Sequence, residues 1–145
     1  MKAKDLRKGN IASNLQRDIF KNGYVILHAR DIYEMAVHES AQTVDEMYKS
    51  FKPISLTKDW LLKLGFTSYQ WCDDCAFIKF NGSHLMMRFY GGVWHCFKTR
   101  VSKDGKGQKM SSGKEIAKKG HIKHIHQLQN VYYALTWKEL TIKLS

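Results

Sequence analysis

Between Gln127 and Thr136, Leu128, Val131, Tyr132 and Leu135 recur at i, i+3, i+4 and i+7. That spacing places them on one face of a 3.6-residue helix. A helix with one apolar stripe must bury it, so the rest of a small chain has to supply the opposite wall. The preceding residues, Gly120-His121-Ile122-Lys123-His124-Ile125, set Ile122 and Ile125 among polar neighbours. They predict a short strand that feeds a helix over 126–136. The segment constrains the fold and names no activity.

A second helix is predicted over 57–64. Thr57 is a good N-cap, Trp60, Leu61 and Leu64 form the buried stripe, and Gly65 stands where a left-handed residue ends a helix. Residues 69–98 read as a β-meander. Cys75–Phe80, His84–Tyr90 and Val93–Lys98 are separated by Asn81-Gly82 and Gly91-Gly92, which are tight-turn signals. Nearer the start, Gly9-Asn10 marks a turn into a short strand, and Tyr24–Leu27 is a compact run of strand formers. From Ala29 to Phe51 the spacing is helical, in two sets with a break near Glu39-Ser40, and Pro53 ends that unit. Glu139–Leu144 alternates and predicts a returning edge strand. The expected fold is therefore α+β over residues 1–145. It is a single compact domain with an antiparallel sheet covered on one face by helices, a helical insertion at about 29–51, and a basic flexible loop or hairpin at about 98–119.

The charge is unusual. Twenty-four Lys and Arg against 13 Asp and Glu leave +11, an excess that attracts polyanions, of which nucleic acid is the commonest in a cell. The surplus is concentrated where apolar residues are sparse. Lys98, Arg100, Lys103, Lys106, Lys109, Lys114, Lys118 and Lys119 stand against Asp104 and Glu115. With Lys123 and His124 behind them, they are the candidate contacts for nucleic acid or a partner. Low hydrophobicity, high charge and three glycines predict a mobile loop or a long hairpin tip.

Catalytic and metal signatures are weak. Cys72-Asp73-Asp74-Cys75 has the spacing of a zinc or redox site, but a structural zinc site needs four ligands. The remaining sulfur, Cys96, adjoins His95 on a strand, where neighbours point to opposite faces. The three cysteines, an odd number, suit a reducing compartment and ordinary buried or half-exposed roles. His121, His124 and His126 lack a nearby acid to orient them. Asp73-Asp74 alone is thin support for a metal-dependent nuclease. No Walker loop, G-x-S-x-G or H-E-x-x-H occurs. No catalytic residue, metal or cofactor is expected. The sheet aromatics Phe77, Phe80, Phe89, Tyr90, Trp94 and Phe97 are read as core rather than as a base-stacking platform, with Tyr69, Trp71 and Trp94 as the exceptions. The N-terminus lacks an apolar signal core, and no run approaches the roughly 20 apolar residues of a membrane helix. A cytoplasmic location with no membrane association is expected.

Three segments together resemble a family of small proteins of Bacteroidota phages, prophages and mobile elements. They are Asp5-Leu6-Arg7-Lys8-Gly9-Asn10, Lys52-Pro53-Ile54-Ser55-Leu56-Thr57-Lys58-Asp59-Trp60-Leu61-Leu62-Lys63-Leu64-Gly65-Phe66, and Ile122-Lys123-His124-Ile125-His126-Gln127-Leu128-Gln129-Asn130-Val131-Tyr132-Tyr133-Ala134-Leu135-Thr136. The family pattern looks like L-R-x-G-N, then P-I-P-L-T-E-E-W-L-L-K-x-G-F, then V-H-Q-L-Q-N-L-Y-F-A-L-T-G. Trp137 departs from it, standing where the family has glycine. The motifs imply architecture rather than activity. The resemblance also implies a host-cytoplasmic, non-enzymatic anti-defence protein of the anti-CRISPR kind. Its partner would be an RNA-guided type VI CRISPR effector nuclease or its guide RNA. General RNA or DNA binding, and a structural or accessory phage role, are the alternatives.

Overall fold

A computed structural model describes residues 2–14, 24–40, 51–111, 113–116 and 122–143. Their contacts gather into two compact units, residues 1–55 with 124–130, and residues 56–123 with 131–145.

In the first unit a 3-10 turn, Ala3–Asp5, leads through Lys8-Gly9 into β1 (Ile11–Asn14). Gly9 has φ +93°, the left-handed region that a residue with a Cβ resists. β1 lies between β2 (Val25–Ile26) and β3 (Phe51–Lys52), antiparallel to both, with Ile11 opposite Ile26 and Ser13 opposite Lys52. Helix α1 spans Ala29–Ser40, and the Asp31 carboxylate accepts the His28 N–H at its start. Ala3, Leu6, Ala12, Leu27 and Met35 form the core here, with Val25 and Ile32 against it. The helical set expected over 41–50 lies outside the described residues. Phe51 is strand rather than helix: it pairs with Asn14, and Lys52 precedes Pro53, a position that disfavours helical angles.

Two of the three quoted motifs interlock in this unit. The Ile11 N–H donates to Gln129 Oε1 at 2.9 Å, and Gln129 Nε2 donates to the Gly9 carbonyl at 3.1 Å. Asn130 donates to the Asp5 carbonyl and accepts from Arg7 Nε and Asn10 Nδ2. Gln129 is fully buried, and a buried amide needs such partners to offset its lost hydration. A third link comes from the Ile125 N–H, which donates to the Ile54 carbonyl beside a Ser55–His124 bridge.

Helix α3 spans Ile125–Thr136, so Ile125 opens the helix and is not part of a strand. Ile122 is only an isolated bridge partner of Trp94. Residues 125–130 of α3 belong to the first unit and 131–136 to the second. The helix ends on Trp137 with φ +57°, the left-handed conformation a glycine would take without strain.

The second unit opens with α2 (Lys58–Lys63), capped by the Thr57 hydroxyl, which accepts the Trp60 N–H. The Phe66 N–H donates to the Leu61 carbonyl across Gly65, at φ +93°, closing the helix end. The meander follows as β5 (Cys75–Phe80), β6 (Ser83–Tyr90) and β7 (Val93–Thr99). Asn81 and Gly82 both have positive φ, as do Gly91 and Gly92, the turn geometry that matches strand twist. β4 (Thr67–Ser68) and β10 (Lys114–Glu115) complete a five-stranded antiparallel sheet in the order β10-β7-β6-β5-β4. β8 (Val101–Asp104) and β9 (Gly107–Met110) form a separate hairpin. Residues 139–143 form no strand. The Lys143 N–H instead satisfies the Lys63 carbonyl at the end of α2, and Leu140 is buried. Among the described residues no helix is long and apolar enough to cross a membrane.

Candidate nucleic-acid interface

Residues directly opposite one another in an antiparallel ladder share a face. The register Ala76–Met87–Cys96 and Ile78–Leu85–Lys98 therefore defines one face of the five-stranded sheet. The register Cys75–Arg88–His95, Phe77–Met86–Phe97 and Lys79–His84–Thr99 defines the other. On the first face Ala76, Phe80, Leu85, Met87, Trp94 and Cys96 are buried. Trp94 is therefore core and not an exposed exception, with its indole N–H donated to the Leu56 carbonyl at 2.7 Å. Burial, with Glu115 adding to it, pushes the Cys96 thiol up to about 12, so it is chemically quiet.

The second face is different in kind. Phe77 meets Tyr69 and His84 edge-on, and Tyr90 stacks flat on His95 with 3.6 Å between ring centres. Arg88 stands over the Tyr90 ring. His95 Nδ1 lies 3.1 Å from Glu115 Oε1. His84 Nδ1 accepts the Val101 N–H at 3.0 Å, which ties the base of the hairpin to the sheet. Burial, then Lys79 on the same face, lowers the His84 pKa.

The loop between β4 and β5 forms the rim of this face. Cys72 and Cys75 are joined as a disulfide. The expectation of free thiols is thus corrected: the tight turn, held by Tyr69 N–H to Cys75 and Cys75 N–H to Cys72 carbonyl bonds, brings the two Cα atoms to 5.3 Å, within bridging range. Trp71 projects from the loop and is 63% exposed, with its indole N–H on the Gln108 carbonyl at 2.6 Å. Gln70 and Gln108 hold each other reciprocally, the Gln70 N–H on Gln108 Oε1 and the Gln108 N–H on Gln70 Oε1.

Those bonds decide the form of the basic segment. Of the two forms expected, residues 101–110 take the hairpin, and these bonds tie it to the β4–β5 loop. Loop polarity hid this, because the pins are amides and backbone groups and not apolar side chains. Thr99, Arg100 and Ser111 close its base through further hydrogen bonds. Arg100, Lys103, Lys106 and Lys109 are exposed on it. Among the described residues none of them has a carboxylate at ion-pair distance.

Strand alternation divides the ten expected contacts. Lys98 and Lys114 are opposite each other and project on the core side at the sheet edge, both exposed. Lys103 pairs with Gln108 and shares a hairpin face with Met110, whereas Lys109 pairs with Ser102 on the reverse face. Lys118 and Lys119 lie outside the described residues, as does His121. Lys123 is exposed. His124 belongs to the first unit, half-buried and stacked on His126. His126 is buried, among the described residues nothing partners its Nδ1, and burial, with His124 beside it, lowers its pKa to about 4. Lys79 and Arg88 were missed in the sequence. Their signal is register: Lys79 sits two residues from half-buried Phe77, and Arg88 two residues from buried Met86, on the second face. Among the described residues no three His, Cys, Asp or Glu stand close enough to share a metal ion.

No protein-family model, curated protein or solved structure matches the chain.

Proposed function

We propose that the protein is a non-enzymatic nucleic-acid-binding inhibitor that docks on an RNA-guided ribonucleoprotein, such as a type VI CRISPR effector with its guide, and blocks its action. The observation that carries the reading is the pinned hairpin, which presents Arg100, Lys103, Lys106 and Lys109 to solvent with no partner carboxylate among the described residues. Such cations release condensed counterions when they meet phosphates, and this drives binding. Because the hairpin is already ordered, its docking forfeits less conformational entropy than a flexible loop would. The resemblance to Bacteroidota phage proteins supports the choice of target, since an anti-defence role suits a compact basic protein.

The test is affinity for labelled single-stranded RNA across a salt series, paired with target-RNA cleavage by a type VI effector. Wild-type affinity should fall with a log–log slope on the order of −0.7 per phosphate contact. Replacing Lys103, Lys106, Lys109 and Lys114 together by Ser should flatten that slope and relieve inhibition, with the melting temperature nearly unchanged. An unchanged slope with full inhibition would sink the reading.

A further inference from the structure

The second face of the sheet holds a cavity of about 380 Å³. Its walls are Tyr69, Trp71, Met86, Phe97 and Met110, with the Cys72–Cys75 disulfide on one side and Arg88 at the rim. The walls come from the sheet, the β4–β5 loop and the hairpin. Met86 and Phe97 are cross-strand partners, Tyr69 and Trp71 come from the β4–β5 loop, and Met110 comes from the pinned hairpin. Gly113 passes tightly over the sheet here: a Cβ on it would stand 3.3 Å from those of Phe97 and Thr99.

We propose that this cavity takes one unpaired nucleobase of a single-stranded nucleic acid. The proposal rests on the nucleic-acid reading above and specifies what that reading leaves open, namely strandedness and the seat of a base.

Four observations carry it. The size lies at the lower end of the roughly 300–1,000 Å³ usual for ligand sites, which suits a single planar ring system. The lining is aromatic and thioether, and these groups favour the π-face of any base. Trp71 is exposed yet its indole is fixed by the bond to Gln108, so a stacking surface stands ready without being ordered on binding. Arg88 lines the cavity and supplies a cation for a backbone phosphate. Lys79 and Lys103 lie on the sheet and hairpin faces that carry its walls, alongside the carboxylates of Asp73 and Asp74, between the lining cysteines, and of Glu115, opposite Phe97. An apolar peptide would fill the same cavity, but it would leave Arg88 without an anion. A duplex keeps its bases stacked and has none to offer, so binding through the cavity selects single strands or unpaired loops.

The test compares wild type, Trp71→Ala and Trp71→Phe on three probes: labelled single-stranded oligouridine, a duplex RNA of equal length, and heparin, a polyanion without bases. Trp71→Ala should weaken oligouridine binding roughly 5- to 150-fold, the range of one stacked base. Its salt slope, heparin affinity and duplex affinity should stay as in wild type. Trp71→Phe, which keeps a ring but loses the bond to Gln108, should restore most of the affinity. Unchanged hydrogen exchange at the Gln108 amide, which bonds Gln70, checks that the hairpin remains in place. If Trp71→Ala binds oligouridine like wild type, the cavity holds no base, while the nucleic-acid reading stands. An equal loss on all three probes overturns the proposal too, because Trp71 would then matter only as a pin for the hairpin. If wild type binds neither RNA probe, the underlying reading fails and the cavity proposal falls with it. Capture of an apolar peptide at the cavity, with no effect of Trp71 on RNA, overturns it in favour of a protein ligand.

Discussion

The two faces of the five-stranded sheet are made by the same strands and both hold buried residues, but they are covered by different chemistry. On one, Ala76, Leu85, Met87 and Cys96 are almost completely buried in apolar surroundings. On the other, one residue along, Arg88, Phe77, Phe97, His84 and His95 meet rings, a carboxylate and a pinned polar hairpin. Alternation at period two allows this, since one strand can serve a close-packed core and a chemically varied surface together. Stability should therefore reside on the first face, and recognition on the second.

The strongest way to break this division is Leu85→Ala. Leu85 is fully buried on the core face, so truncation should cost about 2–5 kcal/mol in denaturant unfolding. RNA affinity per folded molecule should be unaltered. A loss below about 1 kcal/mol, together with lost binding, would mean the faces are coupled and not divided.

Gly107→Ala should have a smaller effect, and a local one. Gly107 has φ +110°, and an added Cβ would collide with the Gln70 carboxamide that pins the hairpin. The expected cost is about 1–3 kcal/mol. Faster hydrogen exchange at Gln108 and Val101, with the meander amides unchanged, would check it. Uniform loss of protection through the meander would show that hairpin and sheet are one cooperative unit.

The smallest effect concerns pH. His84 has a folded-state pKa below its ordinary 6.5, so the unfolded chain takes up a proton more readily than the folded one. Its stabilising contribution is full above about pH 6.5 and declines as pH falls below that value. Protonated Nδ1 cannot accept from Val101, so acid should loosen the hairpin base first. Nuclear magnetic resonance of the Val101 amide against pH reads this directly. A His84→Gln variant that retains the same acid response would rule out His84 as its origin.

Much of the fold was legible because its signals are local. The Thr57 cap, the Gly65 helix end, and the Asn81-Gly82 and Gly91-Gly92 turns each depend on a few adjacent residues, and each appears in the structure as expected. Ile125 and residues 139–143 departed from their strand pattern because their backbones are engaged elsewhere. A strand needs a ladder, and these backbones bond Ile54 and the end of α2 instead. The motifs at Arg7-Lys8-Gly9-Asn10 and Gln129-Asn130 read as architecture, but only the fold shows that they bind each other.

The chain alone determined that there would be capped helices, a three-strand meander and a polar, cationic excursion after it, because turn chemistry, periodicity and charge are written residue by residue. The tertiary structure decided where the excursion folds. Gln108 finds Gln70 and Trp71 across nearly forty residues, and Lys103 is set apart from Lys98 and Lys114 by strand alternation. It also decided that Trp94 is core while Trp71 is surface. Side-chain facing depends on register, register depends on pairing between distant segments, and no local pattern contains that pairing.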